Sequence, residues 1–427
     1  MKILVEQSGY NLTNVGDLAM LQVAVERLKS FWPNASITIF TKAPEKLYEY
    51  CPDTLPLLPS GRQLWIGPPL HFVHNLIPSS KSTQFWRHLE YEIRRKYPYL
   101  LRKLIDFKLK RKPEQHKQFD KFMEVVFNAD LVVATGGGYI TDTFKVCTIA
   151  ALETLELANH LGKPTVMLGQ GLGPINSPDL INMAKDVLPS VDLISLREKR
   201  AGVPLLKSLG VSQERVITTG DDAIELAYRY RNTALGDGIG VNLRIAEYSG
   251  VNSSLLETVR LALHDAAKKW DAPLIPAPID HSSSEGFIES DSVTIQKLLK
   301  GYDDNSDGGQ NLNTPLKVIK QIGCCRVVVT GSYHAGVFAL SQGIPVIALA
   351  KSEYYVDKFY GLADQFGVGC EVLLLNDPEL EKKLVESITH AWESAEQLKP
   401  QLLEAAKRQI ELAHTAYKRV FDLVNSR

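Results

Sequence analysis

The sequence is poor in cysteine and has no long apolar run. Its five cysteines, spread over 427 residues, include no CxxC pair and no histidine-rich spacing, which argues against a disulfide framework and a structural zinc site. No segment reaches the roughly 18 consecutive apolar residues that a membrane-spanning helix needs. Residues 1–6 are interpreted as a strand rather than a signal peptide, because the apolar run stops at Glu6. We therefore expect a cytoplasmic protein.

The chain also lacks an excess of one charge and the common nucleotide-binding motifs. Its 48 basic and 49 acidic residues leave a formal net charge of −1, so the overall charge does not indicate nucleic acid as a partner. Neither GxGxxG nor a P-loop is present, so no nucleotide is implied. The acids of residues 303–309 lack the spacing of a calcium loop, and we expect no metal. A chain of this length exceeds one ordinary core, which favours two domains.

The most informative stretch covers residues 327–348. An apolar β-branched run is followed by turn and N-cap residues, a helical pattern that ends near Gly343, and a second apolar run, which is typical of a βαβ unit. His334 falls in the first turn of this helix, at the carboxyl end of a parallel strand, where ligands bind in such sheets. A helix N-terminus favours an anion and an imidazole titrates near neutrality, so His334 is a candidate catalytic residue. A purely structural role for this histidine is the alternative.

Similar strand ends occur in the first half of the chain. A strand at residues 2–5 leads into a polar loop with Asn14 and Asp17, and three glycines at 136–138 follow another apolar strand. Such glycines leave backbone N–H groups free for a ligand. Arg197 stands where a further strand ends, and an arginine there can clamp a phosphate or a carboxylate. The alternatives are a helix cap or first-turn acid for Asp17 and a structural salt bridge for Arg197.

Residues from about 50 to 122 interrupt the alternation of strands and helices. The part up to residue 82 is rich in proline and lacks a period, which predicts an irregular insertion or lid. Residues 85–122 are basic with a helical pattern. Such a segment can contact an anionic membrane surface from the cytoplasmic side, or can be a solvated face whose long side chains cover apolar surface.

The alternation restarts after a glycine-rich linker near residue 230. We predict an N-terminal domain at 1–230, a C-terminal domain at 238–398 and a final helix at 399–427. Two successive βα halves predict an α/β fold of two Rossmann-like domains that face each other across a cleft, the architecture called GT-B. The cleft should collect the strand-end loops of both halves, including Arg244 after the first strand of the second half.

These loops, taken in order, resemble the polysaccharide pyruvyl transferase family. The motifs that match are N-x-G-D at 14–17, G-G-G at 136–138, S-x-R at 195–197, H…G-x-P at 334–345 and Y-x-x-K at 355–358. The resemblance implies a metal-independent GT-B enzyme without a cofactor that moves pyruvate from phosphoenolpyruvate, its donor substrate, to a pair of sugar hydroxyls. The acceptor would be a precursor of a cell-surface polysaccharide or exopolysaccharide, either free or carried on a lipid.

The resemblance and the strand-end positions together define twelve candidate site residues. His334 is the expected general acid and Asp17 the expected base. The expected substrate-binding residues are Asn14, Gly16, Gly137, Gly138, Arg197, Arg244, Ser332, Tyr333, Lys351 and Lys358.

The chain departs from the family at one position of this site. The family often has arginine where this chain has Ser332, so either Arg244, Lys351 or Lys358 replaces that charge, or the donor differs, or activity is lost. Two other functions remain open on the same fold. One is a glycosyltransferase that uses a nucleotide sugar, and the other is a non-catalytic glycan-binding protein.

Overall fold

The protein contains two parallel β-sheets, each covered by helices on both faces. The computed structural model describes residues 1–66, 93–94, 96–245, 249, 253–282 and 289–427. The central strands of each sheet are short apolar runs whose side chains are almost all buried, as expected for parallel sheets covered on both faces, whereas the strands at the sheet edges are partly exposed. The predicted α/β architecture is therefore confirmed.

The N-terminal sheet has eight described strands, all paired in parallel. Its order is β3-β2-β1-β4-β6-β7-β8, and β5 pairs with β6. The strands are β1 (Lys2–Glu6), β2 (Ser36–Phe40), β3 (Thr54–Leu57), β4 (Leu131–Ala134), β5 (Gly137–Ile140), β6 (Thr165–Leu172), β7 (Leu193–Leu196) and β8 (Val216–Thr218). The strand order reverses direction between β1 and β4, which places a ligand-binding crevice at their carboxyl ends.

Helices connect these strands. They are α1 (Val15–Phe31), α2 (Pro44–Tyr50), α3 (Ser60–Ile66), α4 (Pro98–Leu109), α5 (Pro113–Asn128), α6 (Lys145–His160), α7 (Pro178–Val187), α8 (Gly202–Ser208) and α9 (Ala223–Arg229). Proline stands in the first turn of four of them, α2, α4, α5 and α7, where its missing N–H costs no hydrogen bond.

The C-terminal sheet has the order β10-β9-β11-β12-β13, again all parallel. Its strands are β9 (Gly238–Asn242), β10 (Leu274–Pro276), β11 (Cys325–Thr330), β12 (Val346–Ala350) and β13 (Cys370–Leu374). Its helices are α10 (Ser253–Trp270), α11 (Asp291–Leu299), α12 (Pro315–Ile322), α13 (Tyr333–Ser341), α14 (Glu353–Phe366) and α15 (Leu380–Asn425). None of the helices in the described ranges is long and apolar enough to cross a membrane.

Two sequence predictions about elements need correction. The stretch after residue 50 is not wholly irregular, because β3 extends the sheet beside β2 and α3 follows it; residues 67–92 lie outside the described residues. The final helix begins at Leu380 rather than near 400 and passes through Pro400 without ending. Strand β6 runs through the glycines at 169 and 171 and ends at Leu172.

The helix α15 packs on both sheets. Its first part joins the core of the C-terminal sheet, whereas Tyr417 and Val420 belong to the core around β1 and β2. The Tyr417 hydroxyl donates a hydrogen bond of 2.8 Å to buried Asp222, which also forms a 2.5 Å ion pair with Arg27 of α1. The Tyr417 hydrogen bond attaches the end of α15 to the N-terminal half, and the ion pair holds Asp222 in place within that half.

Candidate active site

The carboxyl ends of both sheets face one cleft, which encloses a cavity of about 390 Å³. The loop after β1 and strand β5, which follows β4, line it from the N-terminal half, and the loops after β9 and β11 line it from the C-terminal half. Both pairs of strands are the points where strand order reverses in their sheets. The cleft therefore lies where a doubly wound fold places its ligand.

Two backbone hydrogen bonds join the halves at one wall of the cleft. The Val15 N–H donates to the Ile279 carbonyl at 2.8 Å, and the His281 N–H donates to the Thr13 carbonyl at 3.1 Å. Asn14 and Asp280 thereby form a short antiparallel bridge between the halves. The loops at 13–15 and 279–281 are held in register across the cleft.

Nine of the twelve candidate residues line this cavity. They are Asn14, Asp17, Gly138, Arg197, Arg244, Ser332, Tyr333, His334 and Lys358. Gly16 and Gly137 lie behind the cavity surface and contact lining side chains instead. Lys351 is exposed in the turn before α14 and does not line the cavity. The structure therefore brings most of these residues to one cavity, and their roles as site residues stay predictions.

A buried aspartate connects the two central functional side chains. Asp221, in the loop after β8, is 3.2 Å from Arg197 Nη1 and 3.7 Å from His334 Nε2. Burial raises the pKa of Asp221, but the neighbouring His334 and Arg197 outweigh this and leave the pKa below its usual value. The carboxylate therefore stays ionised between a guanidinium and an imidazole.

Arg197 is held so that part of its guanidinium is unused. It is 1 % exposed, and its guanidinium carbon lies 4.0 Å from the centre of the Tyr333 ring. Its Nε and Nη2 have no hydrogen-bond partner within the described part of the chain. Because buried donors without partners are costly, this cavity wall is suited to an anionic ligand that accepts hydrogen bonds from Arg197.

A second cation lies close to Arg197. Lys358 donates a short hydrogen bond to the Tyr354 hydroxyl one helical turn earlier, and that hydroxyl donates to the Gly138 carbonyl at 3.0 Å. Burial, together with the charge of Arg197, holds the pKa of Lys358 well below its usual value. An anion bound between the two cations would favour the charged form of the lysine.

The glycines make room for these side chains. A Cβ on Gly138 would lie 2.5 Å from Lys358 Nζ and 2.9 Å from Arg197 Nη2, and one on Gly171 would lie 2.7 Å from Arg197 Nε. A Cβ on Gly16 would lie 2.5 Å from the Cβ of His334. The glycine run at 136–138 was predicted to present free N–H groups to a ligand. Instead, Gly137 begins strand β5, and Gly138 lets two cations approach the backbone.

Asp17 sits in the first turn of α1, beside His334. Asn14 caps this helix, because its Oδ1 accepts hydrogen bonds from the N–H groups of Gly16 and Asp17 at 3.0 and 3.1 Å. Burial raises the pKa of Asp17, and the neighbouring His334 and a hydrogen bond with Ser8 offset this in part. A carboxylate with a raised pKa is a better proton acceptor near neutral pH than an ordinary one.

Two predicted anion-binding groups are already occupied by protein partners. Arg244 forms ion pairs with Asp280 at 2.8 Å and with Asp291 at 2.9 Å, so the prediction that it binds donor phosphate or carboxylate is not supported. The N–H of Gly331 donates to the Asn242 carbonyl, and that of Ser332 donates to Thr330 Oγ1. The expected oxyanion site at this turn is therefore absent for those two N–H groups.

Sequence reasoning missed three residues that shape the cavity. Asp221 was not among the candidate residues, although its position after a strand carries the same signal as that of Arg197. Asp280 lines the cavity and neutralises Arg244. Lys358 donates its hydrogen bond to Tyr354, one helical turn earlier, rather than to the Tyr355 of the Y-x-x-K motif.

Solved structures with the same architecture identify the fold. Anabaena HepE, in complex with UDP, matches with a TM-score of 0.53 at 13 % identity over all of both chains. A UDP-GlcNAc 2-epimerase from Neisseria meningitidis bound to UDP-GlcNAc matches at 0.50 and 14 %, also over all of both chains. A UDP-glucose:anthocyanidin 3-O-glucosyltransferase in complex with UDP matches at 0.52 and 11 %, over all of this chain and 99 % of that one. The protein thus has the GT-B fold.

A match to a family profile shows which family of GT-B proteins the chain belongs to. The profile of polysaccharide pyruvyl transferase matches residues 14–353, which include the strand-end loops of both halves. The chain therefore belongs to the polysaccharide pyruvyl transferase family, as its motifs indicated. None of the curated protein sequences matches the chain.

Proposed function

We propose that this protein transfers the pyruvyl group of phosphoenolpyruvate to two hydroxyls of a saccharide and forms a ketal. The observation that carries this proposal is the pair of neighbouring cations, Arg197 and Lys358, beside His334 and Asp17 in one cavity. Phosphoenolpyruvate carries a phosphate and a carboxylate, which need two positively charged partners. The family assignment supports a transferase of this kind.

The structure also favours one of the three replacements for the missing family arginine. Ser332 lies in the cavity wall but carries no charge. Arg244 is paired with two aspartates, and Lys351 lies outside the cavity. Lys358 faces the same glycine as Arg197, so within this proposal Lys358 supplies the second positive charge for the donor.

The reaction balances with groups that the cleft supplies. Two hydroxyl oxygens bond to the central carbon of the pyruvyl group, and the bond from that carbon to the phosphate oxygen breaks. The two hydroxyls lose two protons in total. The former methylene carbon gains one proton and becomes a methyl group, and the other proton leaves with inorganic phosphate. His334 donates the proton to the methylene carbon, and Asp17 accepts the proton of the attacking hydroxyl.

Asp221 would prepare His334 for this role. Its carboxylate faces Nε2 at 3.7 Å, which leaves Nδ1 as the ring nitrogen available to the substrate. An ionised partner on one nitrogen holds the ring and stabilises the imidazolium from which a proton is donated. A cytoplasmic location, no metal ion and a saccharide acceptor that is free or lipid-linked complete the proposal.

Thermal unfolding with millimolar phosphoenolpyruvate tests donor binding, with sulfate and UDP as control ligands. A ligand at 100 times its Kd stabilises the native state by about 2.7 kcal/mol, so the midpoint should rise with phosphoenolpyruvate. Arg197→Lys keeps the charge beside Asp221 but loses the unused nitrogens, so this shift should shrink. Lys351→Met is the matched control outside the cavity and should keep the full shift.

Two outcomes would contradict donor binding. A shift with UDP alone would favour a nucleotide-sugar glycosyltransferase, a rival supported by the UDP in structures of the same fold. A shift with neither ligand would favour a glycan-binding protein without donor chemistry. Phosphate release that depends on both phosphoenolpyruvate and an added saccharide would then establish the reaction itself.

A further inference from the structure

Helix α4 and the residue before it expose a stripe of large apolar side chains. Of the fifteen large apolar side chains that the described residues expose, five lie between Tyr97 and Phe107. Four of the five share one face of the helix at a spacing of three and four residues. These are Tyr97 (59 % exposed), Leu100 (53 %), Leu104 (47 %) and Phe107 (73 %).

The helix does not need this stripe for its packing. A separate stripe, made of Pro98, Leu101, Ile105 and Leu109, is buried and attaches α4 to the N-terminal core. Single exposed apolar residues are ordinary, but four aligned on one helix face form a contiguous patch of the kind that marks an interaction surface. The exposed stripe is therefore available to a partner.

The charge around the stripe indicates what that partner is. Residues 96–112 contain seven lysines and arginines and a single acid, Asp106, in a chain whose net charge is −1. The Asp106 carboxylate lies 3.9 Å from Arg102 and 3.6 Å from His116, so these two side chains share its negative charge. Lys103 and Lys108 are exposed and flank the apolar stripe on the helical wheel, and the exposed Arg111 lies in the turn that follows the helix.

We propose that α4 is a membrane-binding surface that lays its exposed stripe into an anionic lipid bilayer. Leucine and phenylalanine would enter the acyl boundary, tyrosine would stay at the headgroup level, and the flanking cations would contact anionic headgroups. The combination of a basic rim and an apolar stripe on one helix favours this partner over a second protein copy, whose own α4 would carry the same positive charge. This surface is independent of the chemistry in the cleft.

Co-sedimentation with lipid vesicles tests the proposal on the full chain. The protein should bind vesicles of phosphatidylcholine that contain about one third phosphatidylglycerol. It should bind far less to vesicles of phosphatidylcholine alone. Raising the salt from about 0.1 M to about 1 M should weaken binding, because the Debye length falls from about 10 Å to about 3 Å. Equal binding to neutral and anionic vesicles, or none to either, would overturn the proposal.

Two variants separate the apolar and charged contributions. Leu100→Ser with Leu104→Ser and Phe107→Ser should reduce binding at least about tenfold. Lys103→Glu with Arg111→Glu should reduce it about 25-fold or more, since each basic residue near an anionic surface contributes a factor of about five. All five side chains are exposed, so the unfolding midpoint should not move.

Matched variants on other surfaces give the control. Tyr48→Ser with Leu412→Ser removes exposed apolar groups, and Lys407→Glu with Arg408→Glu makes the same charge change on α15. Both should bind like the native protein. Equal losses in the control variants would overturn the assignment to α4. So would a dimer in solution that the serine variant converts to a monomer, since a second copy would then cover the stripe.

Discussion

Replacing Gly16 by alanine is the most direct test of how the cleft is built. Gly16 lies in α1, where alanine would ordinarily stabilise a helix by about 0.5–1 kcal/mol. Here the new Cβ would lie 2.5 Å from His334 Cβ and closer still to the ring. Because ordinary contact begins near 3.4 Å, α1 and α13 must separate by about 0.9 Å or more.

The expected result is therefore opposite to that for an ordinary helical glycine. Overpacking typically costs about 1–3 kcal/mol, which is larger than the helix gain, so the unfolding midpoint of this 427-residue chain should fall by about 1–3 °C. If the proposed chemistry holds, kcat should also fall about 100-fold, because the imidazole is displaced by about 1 Å. Differential scanning calorimetry and phosphate release measure the two effects.

Two controls keep this prediction specific. Gly336→Ala lies in the helix that carries His334, and its Cβ would meet the flexible end of Leu362 at 3.2 Å; its midpoint should not fall below the native value by more than a few tenths of a degree. In a His334→Gly background the overlap disappears, so Gly16→Ala should no longer be destabilising. A higher midpoint for Gly16→Ala in the native background would refute this account of the contact.

Three further predictions concern charge in the cleft. Asp221→Asn keeps the shape but removes the charge beside His334, so kcat should fall about 10- to 100-fold with a smaller change in KM; equal effects on both would argue against a positioning role. Lys358→Met should raise the KM for phosphoenolpyruvate about tenfold or more, whereas Lys351→Met should not, and steady-state kinetics distinguish them. Because burial raises the pKa of Asp17 above its ordinary 3.8 and a general base must be ionised, kcat should fall as pH drops through the raised pKa. A pH profile whose acidic limb survives in Asp17→Asn would assign that limb to another group.

Local patterns in the sequence predicted the elements and the edge of the sheets that forms the cleft. The signal for a βα unit, a β-branched run followed by a cap and a helical period, lies within about ten residues of sequence. The βα units around Asp17 and His334 were therefore recognisable. The rule that ligands bind at the carboxyl ends of parallel strands then brought nine of the twelve candidates to one cavity. The pattern was less informative where proline-rich sequence still formed β3, an edge strand, since edge positions tolerate residues that central strands exclude.

The sequence by itself determined which residue types reach the cleft, whereas the tertiary structure decided which of their charges are available. Arg197 and Arg244 look equivalent as strand-end arginines, yet Arg244 is neutralised by aspartates 36 and 47 residues away, and Arg197 keeps two nitrogens unpaired within the described ranges. Lys351 and Lys358 also differ in the structure. Lys351 is exposed in the turn before α14, whereas Lys358 lies within α14 and lines the cavity. Ion pairs between distant segments depend on how the two sheets pack, and no local period encodes that packing.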